Sequence, residues 1–170
     1  MHDLKLLSDT LLRAEERFLQ TLDEMTLAQA NTMPRPIIKS VTWLVWHTSR
    51  MIDYQVPPLA GEAQLWFSQG WKEKFALDLP DDTQDWRHTP EEAAKVVVAD
   101  KQLLIDYLQA TVAYAVHYLR HLPQDTLEEI IDRSWTPPVT RGVRLVSTVD
   151  DAVMHSGQAV YTKRLLLNRT

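Results

Sequence analysis

The sequence contains no cysteine. That excludes disulfides, thiolate zinc sites and thiol nucleophiles, and leaves histidine, aspartate, glutamate and water to ligate any metal. No apolar run approaches the ~20 residues of a membrane span, so no membrane partner is expected. No long run of lysine and arginine is present either, and the net charge is −5. Nucleic acid is therefore disfavoured, since that binding draws most of its affinity from phosphate neutralisation. The Ser-His-Asp elbow, the phosphate loop and the dinucleotide fingerprint are all missing. The opening Met1-His2-Asp3-Leu4-Lys5 lacks the charged-then-apolar pattern of a signal peptide, so a soluble, cytoplasmic protein is expected.

Glycine is scarce, at four in 170 residues, and no strand-turn-strand alternation recurs. Helical spacing dominates instead. Leu4, Leu7, Leu11, Ala14, Phe18 and Met25 recur at helical intervals and predict a helix of about six turns, ended by the connection from Asn31 to Pro36. Ser40 can cap a second helix through Val41, Leu44, Val45, Thr48, Met51 and Ile52, with Pro57-Pro58 as its stop. Residues 59–88 are less regular but too apolar for disorder. They hold Trp66, Trp71, Phe75 and Trp86, with an acidic turn from Asp78 to Asp85. Thr89-Pro90-Glu91-Glu92 is a capping box with proline at the first helical position, and predicts a third helix continuing through Leu104, Leu108, Val112, Ala115 and Leu119. A second connection spans 123–142, with a short helical turn expected near Leu127 to Ile131. The last helix is expected from about Val143 to Leu167. Four long amphipathic helices imply an all-α four-helix bundle whose long connections allow crossovers, formed by a single domain over residues 1–170. Six tryptophans against three phenylalanines suit pocket walls and interfaces as well as cores.

The richest chemistry lies in the last helix, Val149-Asp150-Asp151-Ala152-Val153-Met154-His155-Ser156-Gly157-Gln158-Ala159-Val160-Tyr161. Asp151 and His155 lie about 40° apart on one helix face, whereas Asp150 points about 140° away from His155. A carboxylate and an imidazole so placed can hold one metal ion if another element brings a third ligand, although the same spacing also makes a simple surface pair. The candidate third ligand is His47, in Trp43-Leu44-Val45-Trp46-His47-Thr48-Ser49-Arg50. An imidazole there can equally be a general base or a hydrogen-bonded core group. Ala152, Ser156 and Ala159 flank His155 and permit another helix to approach. Gly157 costs about 1 kcal/mol against alanine in mid-helix, which points to a packing or site reason. A rival pair, His117 and His121, is chemically a better metal grip, but His121 sits at a helix end, where it favourably faces the negative end of the dipole.

The blocks Val41-Thr42-Trp43-Leu44-Val45-Trp46-His47-Thr48-Ser49-Arg50-Met51-Ile52-Asp53 and His155-Ser156-Gly157-Gln158-Ala159-Val160-Tyr161 resemble the DinB-like (DinB/YfiT-like) superfamily of bacterial four-helix-bundle proteins. The likeness in helix order and spacing covers nearly the whole chain. It implies a divalent metal (zinc, nickel, iron or manganese) held by one histidine on the second long helix and a His-x3-His pair on the fourth. His47 and His155 match the first and last positions. Asp151 stands in the middle, where many members have histidine. A carboxylate still ligates but favours harder ions, and the alternative is a site that has lost its metal.

The resemblance also implies a function, because characterised relatives include enzymes that use mycothiol, bacillithiol or similar small thiols as S-transferases, isomerases or amidase-like hydrolases. In that reading a metal acidifies a thiol or water for attack on a small-molecule substrate. Arg50 and Tyr54 would orient substrate or donate a hydrogen bond, and Gln158 would steady a ligand. The plainer alternatives are an Arg50–Asp53 helical pair, a core Tyr54 and a structural Gln158. Two histidines and a carboxylate also match the non-haem iron triad, but ligand count does not determine the reaction. The opposing expectation is a metal-free stress-response or ligand-binding bundle that holds a small apolar molecule in a tryptophan-lined crevice. A homodimer is expected in either case from the family resemblance.

Overall fold

The computed structural model describes residues 3–80, 83 and 85–167. Met1 and His2, and the Asp81, Asp82 and Gln84 portion of the expected acidic turn, lie outside the described residues. Four long helices dominate: α1 (Asp3–Asp23), α3 (Val41–Leu59), α7 (Lys101–His121) and α8 (Arg141–Leu167). Four short helices, α2 (Leu27–Ala30), α4 (Leu65–Ser68), α5 (Trp71–Phe75) and α6 (Pro90–Ala94), punctuate the connections. The fold is the helical bundle expected from the sequence. No helix among the described residues is long and apolar enough to cross a membrane.

Each long helix packs against two others: α1 and α3 each contact both α7 and α8. Side-chain ties give their directions. Arg17 donates to Ser156, and Lys163 pairs with Glu24, so α1 and α8 run parallel. Arg144 donates to Gln55, near the end of α3, so α3 and α8 are antiparallel. Lys101, opening α7, donates to the carbonyls of Leu22 and Met25 at the end of α1, while Leu4 packs with Leu119 at the other end. Thus α1 and α7 are antiparallel, and α3 and α7 are parallel. A parallel neighbour requires the chain to return along the bundle, over about 30 Å for a helix as long as α3. Residues 60–100 make that return, which is the long crossover expected from the sequence.

The core follows the helical spacing. Leu11, Ala14, Phe18 and Leu22 of α1, Leu44, Val45 and Ile52 of α3, and Leu104, Leu108 and Val112 of α7 form one buried cluster. Ser40 caps α3 by accepting from the Trp43 amide. Pro57 and Pro58 do not stop α3 but lie in its last turn. The chain is turned there by the amides of Ala60 and Glu62 donating to the Pro57 carbonyl, with Gly61 at φ 75° in the left-handed region that glycine favours.

The capping box at Thr89 and Glu92 is present, but it opens only the five-residue α6. The expected third helix is broken at residues 95–100. Val96 and Val98 bury there, and Asn31 pairs with both the amide and the carbonyl of Val98 while accepting from Thr42. Asp100 then caps α7 through the Gln102 amide. A side chain that offers the backbone hydrogen bonds outside the helix defeats propagation through the break. The second connection holds a 3-10 helix at Gln124–Glu128 and a two-stranded antiparallel ribbon, β1 (Ile130–Asp132) with β2 (Val139–Thr140), which is too short to show as alternation in the sequence.

Candidate metal centre

The antiparallel pairing of α3 and α8 brings His47 to Asp151 and His155. His155 Nε2 lies 3.2 Å from Asp151 Oδ1, and His47 Nε2 lies 3.8 Å from Asp151 Oδ2. One ligand atom from each of the three side chains lies within 4.8 Å of the other two, so the group could hold a metal ion. His47 is buried at 3% exposure. The His155 and Asp151 side chains retain 11% and 26% exposure, which leaves the cluster reachable from one side. Asp150 is exposed and, as expected, not a member of the cluster.

The local packing explains how these groups are held. Trp43, one turn before His47 on α3, lies flat against its imidazole at 4.5 Å and 8° between planes, and meets His155 edge-on at 6.3 Å. Gln158 Oε1 lies 2.7 Å from His155 Nδ1. A carbonyl oxygen only accepts, so His155 carries its proton on Nδ1 and turns Nε2 toward Asp151. Burial pushes the Asp151 carboxyl up, but when their imidazoles are protonated His155 and His47 outweigh it and hold the group well below the usual carboxylate range.

The donor set fits a divalent cation. A neutral His155 would present the Nε2 lone pair to a carboxylate oxygen, a repulsive arrangement that a cation between them relieves. Asp151 Oδ2 is buried and has no hydrogen-bond partner. Its contact with His47 is too long for a hydrogen bond. A shared cation would satisfy that oxygen, which a second proton on His155 would not reach. Two imidazoles and one carboxylate suit zinc, nickel, iron or manganese.

The small residues beside His155 also behave as expected: Ala152, Ser156 and Ala159 are buried, with Ser156 accepting from Arg17 of α1. Gly157 does not. A β-carbon added there meets nothing within 4 Å, so no packing demand accounts for this glycine. Gly157→Ala is expected to stabilise the protein by about 0.5–1 kcal/mol, read as a higher urea midpoint. A lower midpoint would show that the glycine serves something else. His117 and His121 lie exposed on α7 and stay outside the cluster. His121 Nδ1 donates to the His117 carbonyl at 2.8 Å, a local bond at the helix end.

The other residues singled out from the sequence are spread along α3 and α8. Gln158 touches a member of the cluster, as above. Arg50 donates to Asp53, Tyr107 and Gln64 and stacks its guanidinium 4.6 Å from the Trp66 ring. Tyr54 is 48% exposed rather than in the core, and its ring lies beside Trp86. Arg50 and Tyr54 both line a cavity of about 640 Å³ between α3 and the crossover, walled by Trp46, Trp66, Phe67, Leu77, Leu79 and Trp86. Sequence reasoning assigned no role to Trp43, which packs on two members of the cluster, or to His88, which accepts from the Trp43 indole. Trp43 stands at i−4 from His47, a spacing that could have pointed to it, whereas His88 lies in an irregular segment with no period to place it.

The sequence pattern of the DinB superfamily matches residues 10–159. No curated protein matches the chain. A crystal structure described as the conserved protein of locus from Enterococcus faecalis is similar at 63% identity over 99% of both chains, with a TM-score of 0.96. Because the family pattern over residues 10–159 takes in His47, Asp151 and His155 and most of the four long helices, the chain belongs to the DinB superfamily.

Proposed function

We propose that His47, Asp151 and His155 hold one divalent metal ion and that the protein is a metal-dependent enzyme acting on a small molecule, as a low-molecular-weight-thiol S-transferase or a hydrolase. The observation that carries this reading is the convergence of two imidazoles and a carboxylate from antiparallel helices, with one buried carboxylate oxygen left without a hydrogen-bond partner. An ion so held supplies Lewis acidity, which acidifies water or a thiol near neutral pH. Asp151 stays ionised, and Gln158 keeps the His155 proton on Nδ1, away from the cluster. In this reading the apolar body of the substrate sits in the aromatic cavity beside α3, whose lining includes Tyr54, as a hydrogen-bond donor, and Arg50. The reading includes a cytoplasmic homodimer of single-domain chains, with the dimer supported by the family resemblance.

Elemental mass spectrometry of untagged protein purified without chelator tests it. Near one equivalent of metal in the wild type, lost in His155→Ala, is expected. No metal in either, even after reconstitution with zinc, nickel, iron and manganese, would sink the enzymatic reading. It would leave the second one, a metal-free bundle that holds a small apolar molecule, which the tryptophan-lined cavity favours.

A further inference from the structure

We infer that His88 is a positioning residue for the metal centre: from the crossover it fixes the Trp43 indole, and the indole in turn fixes the His47 and His155 rings. This inference rests on the metal reading above. His88 stands 41 residues after His47 and is not a member of the ligand cluster.

The direction of each bond follows from the chemistry of the groups. Trp43 Nε1 lies 3.1 Å from His88 Nδ1. An indole N–H only donates, so Nδ1 of His88 is the acceptor and carries no proton. The neutral ring then has its proton on Nε2, which donates to Thr83 Oγ1 at 2.8 Å. The ring also stacks on Trp46, at 5.8 Å and 16° between planes. Lys39 joins the arrangement, with Nζ 3.1 Å from the His88 carbonyl and 5.1 Å from the centre of the Trp43 ring.

The consequence for the cluster lies in what Trp43 touches. A flat ring stacked on another at 4.5 Å limits tilting of the His47 imidazole, and the same indole presents an edge to His155. Stacking alone leaves the indole free to turn in its own plane, and the bond from Nε1 to His88 removes that freedom. Trp43 is 4% exposed, so an unpaired Nε1–H would find no water to replace His88. Groups that orient a metal ligand without touching the metal typically change metal affinity by 10–100-fold when removed.

The test uses zinc alone, with its dissociation constant measured by competition against a chromophoric chelator. His88→Leu keeps the bulk and removes the acceptor, and is expected to weaken zinc binding at least about tenfold. His88→Gln offers a carbonyl oxygen to the Trp43 N–H and is expected to bind within about threefold of wild type. Trp43→Phe keeps a stacking ring without the N–H. It should lose as much as His88→Leu, and the double variant should lose no more than either single change, because both remove one bond. Should His88→Leu fail to fold by circular dichroism, the Trp43→Phe and His88→Gln pair decides alone. Unchanged zinc affinity in His88→Leu or Trp43→Phe overturns the inference and leaves the metal site standing, as does a His88→Gln protein as weak as His88→Leu. No zinc binding by the wild type overturns the metal reading and this inference with it.

Discussion

Asp53→Ala is expected to lower the stability of the protein by about 3–5 kcal/mol, the cost typical of removing one partner from a buried, hydrogen-bonded charge pair. Asp53 is fully buried. Its Oδ1 accepts the Leu65 amide at 2.6 Å, and its Oδ2 accepts the Trp66 amide and the Tyr107 hydroxyl, each at 2.7 Å. Those two amides open α4, whose own cap residue, Gln64, makes no side-chain cap bond, so Asp53 caps that helix from across the chain. Arg50 approaches Oδ2 at 3.4 Å. Burial lifts the Asp53 carboxyl above its ordinary range, opposed by Tyr107, the two amides and Arg50. Alanine would leave two amides and a phenol without their acceptor, and a buried unmet donor costs about 1–3 kcal/mol. Urea denaturation at neutral pH reads the change, and Asp53→Asn, which retains one acceptor, is expected to lose less. A loss under about 1 kcal/mol for alanine would show that water replaces the carboxylate and that this network does not anchor the crossover.

The same network shows what a sequence can and cannot announce. The i,i+3 relation of Arg50 and Asp53 was legible as a helical pair. The amides that Asp53 serves come 12 and 13 residues later, from a segment whose spacing shows no period. The candidate cluster divides similarly. Asp151 and His155 are one turn apart, so their shared face follows from helix geometry alone. Their meeting with His47 depends on α3 and α8 running antiparallel side by side, which periodicity does not state and only the family resemblance supplied. The capping box at Thr89 was read correctly as a cap and wrongly as the start of the long α7. What decided the break was Asn31, 67 residues away from Val98 in sequence. Local signals located helix starts well, while the competing long-range hydrogen bonds that end or divert a helix were invisible to them.

Saturating zinc is expected to raise the melting temperature of the wild type by about 5–10 °C and that of Asp151→Ala by less than about 2 °C. A ligand that binds only the folded state stabilises it by about 2.7 kcal/mol at a free concentration one hundred times its dissociation constant. In a chain of this size each kcal/mol is worth roughly 2–4 °C. Asp151 is the informative position because it touches both imidazoles, at 3.2 Å and 3.8 Å, and carries the buried oxygen that has no hydrogen-bond partner. Alanine there leaves two neutral rings from different helices with no charge between them, a poor grip on a hard or borderline cation. The shift also has a pH signature with a definite sign. Asp151 lies below the usual carboxylate range beside His155 and His47, so acid does not neutralise it first. A ligating imidazole must shed its proton, so the zinc shift should shrink as pH falls from about 8 to about 5, the interval in which histidine ordinarily takes up a proton. His117→Ala and His121→Ala serve as controls, since both histidines lie exposed on α7, outside the cluster. A shift that survives in Asp151→Ala and disappears in the His117→Ala and His121→Ala proteins would move the zinc site to the outer face of α7. A shift abolished by Asp151→Ala alone and weakened by acid would fix it between α3 and α8.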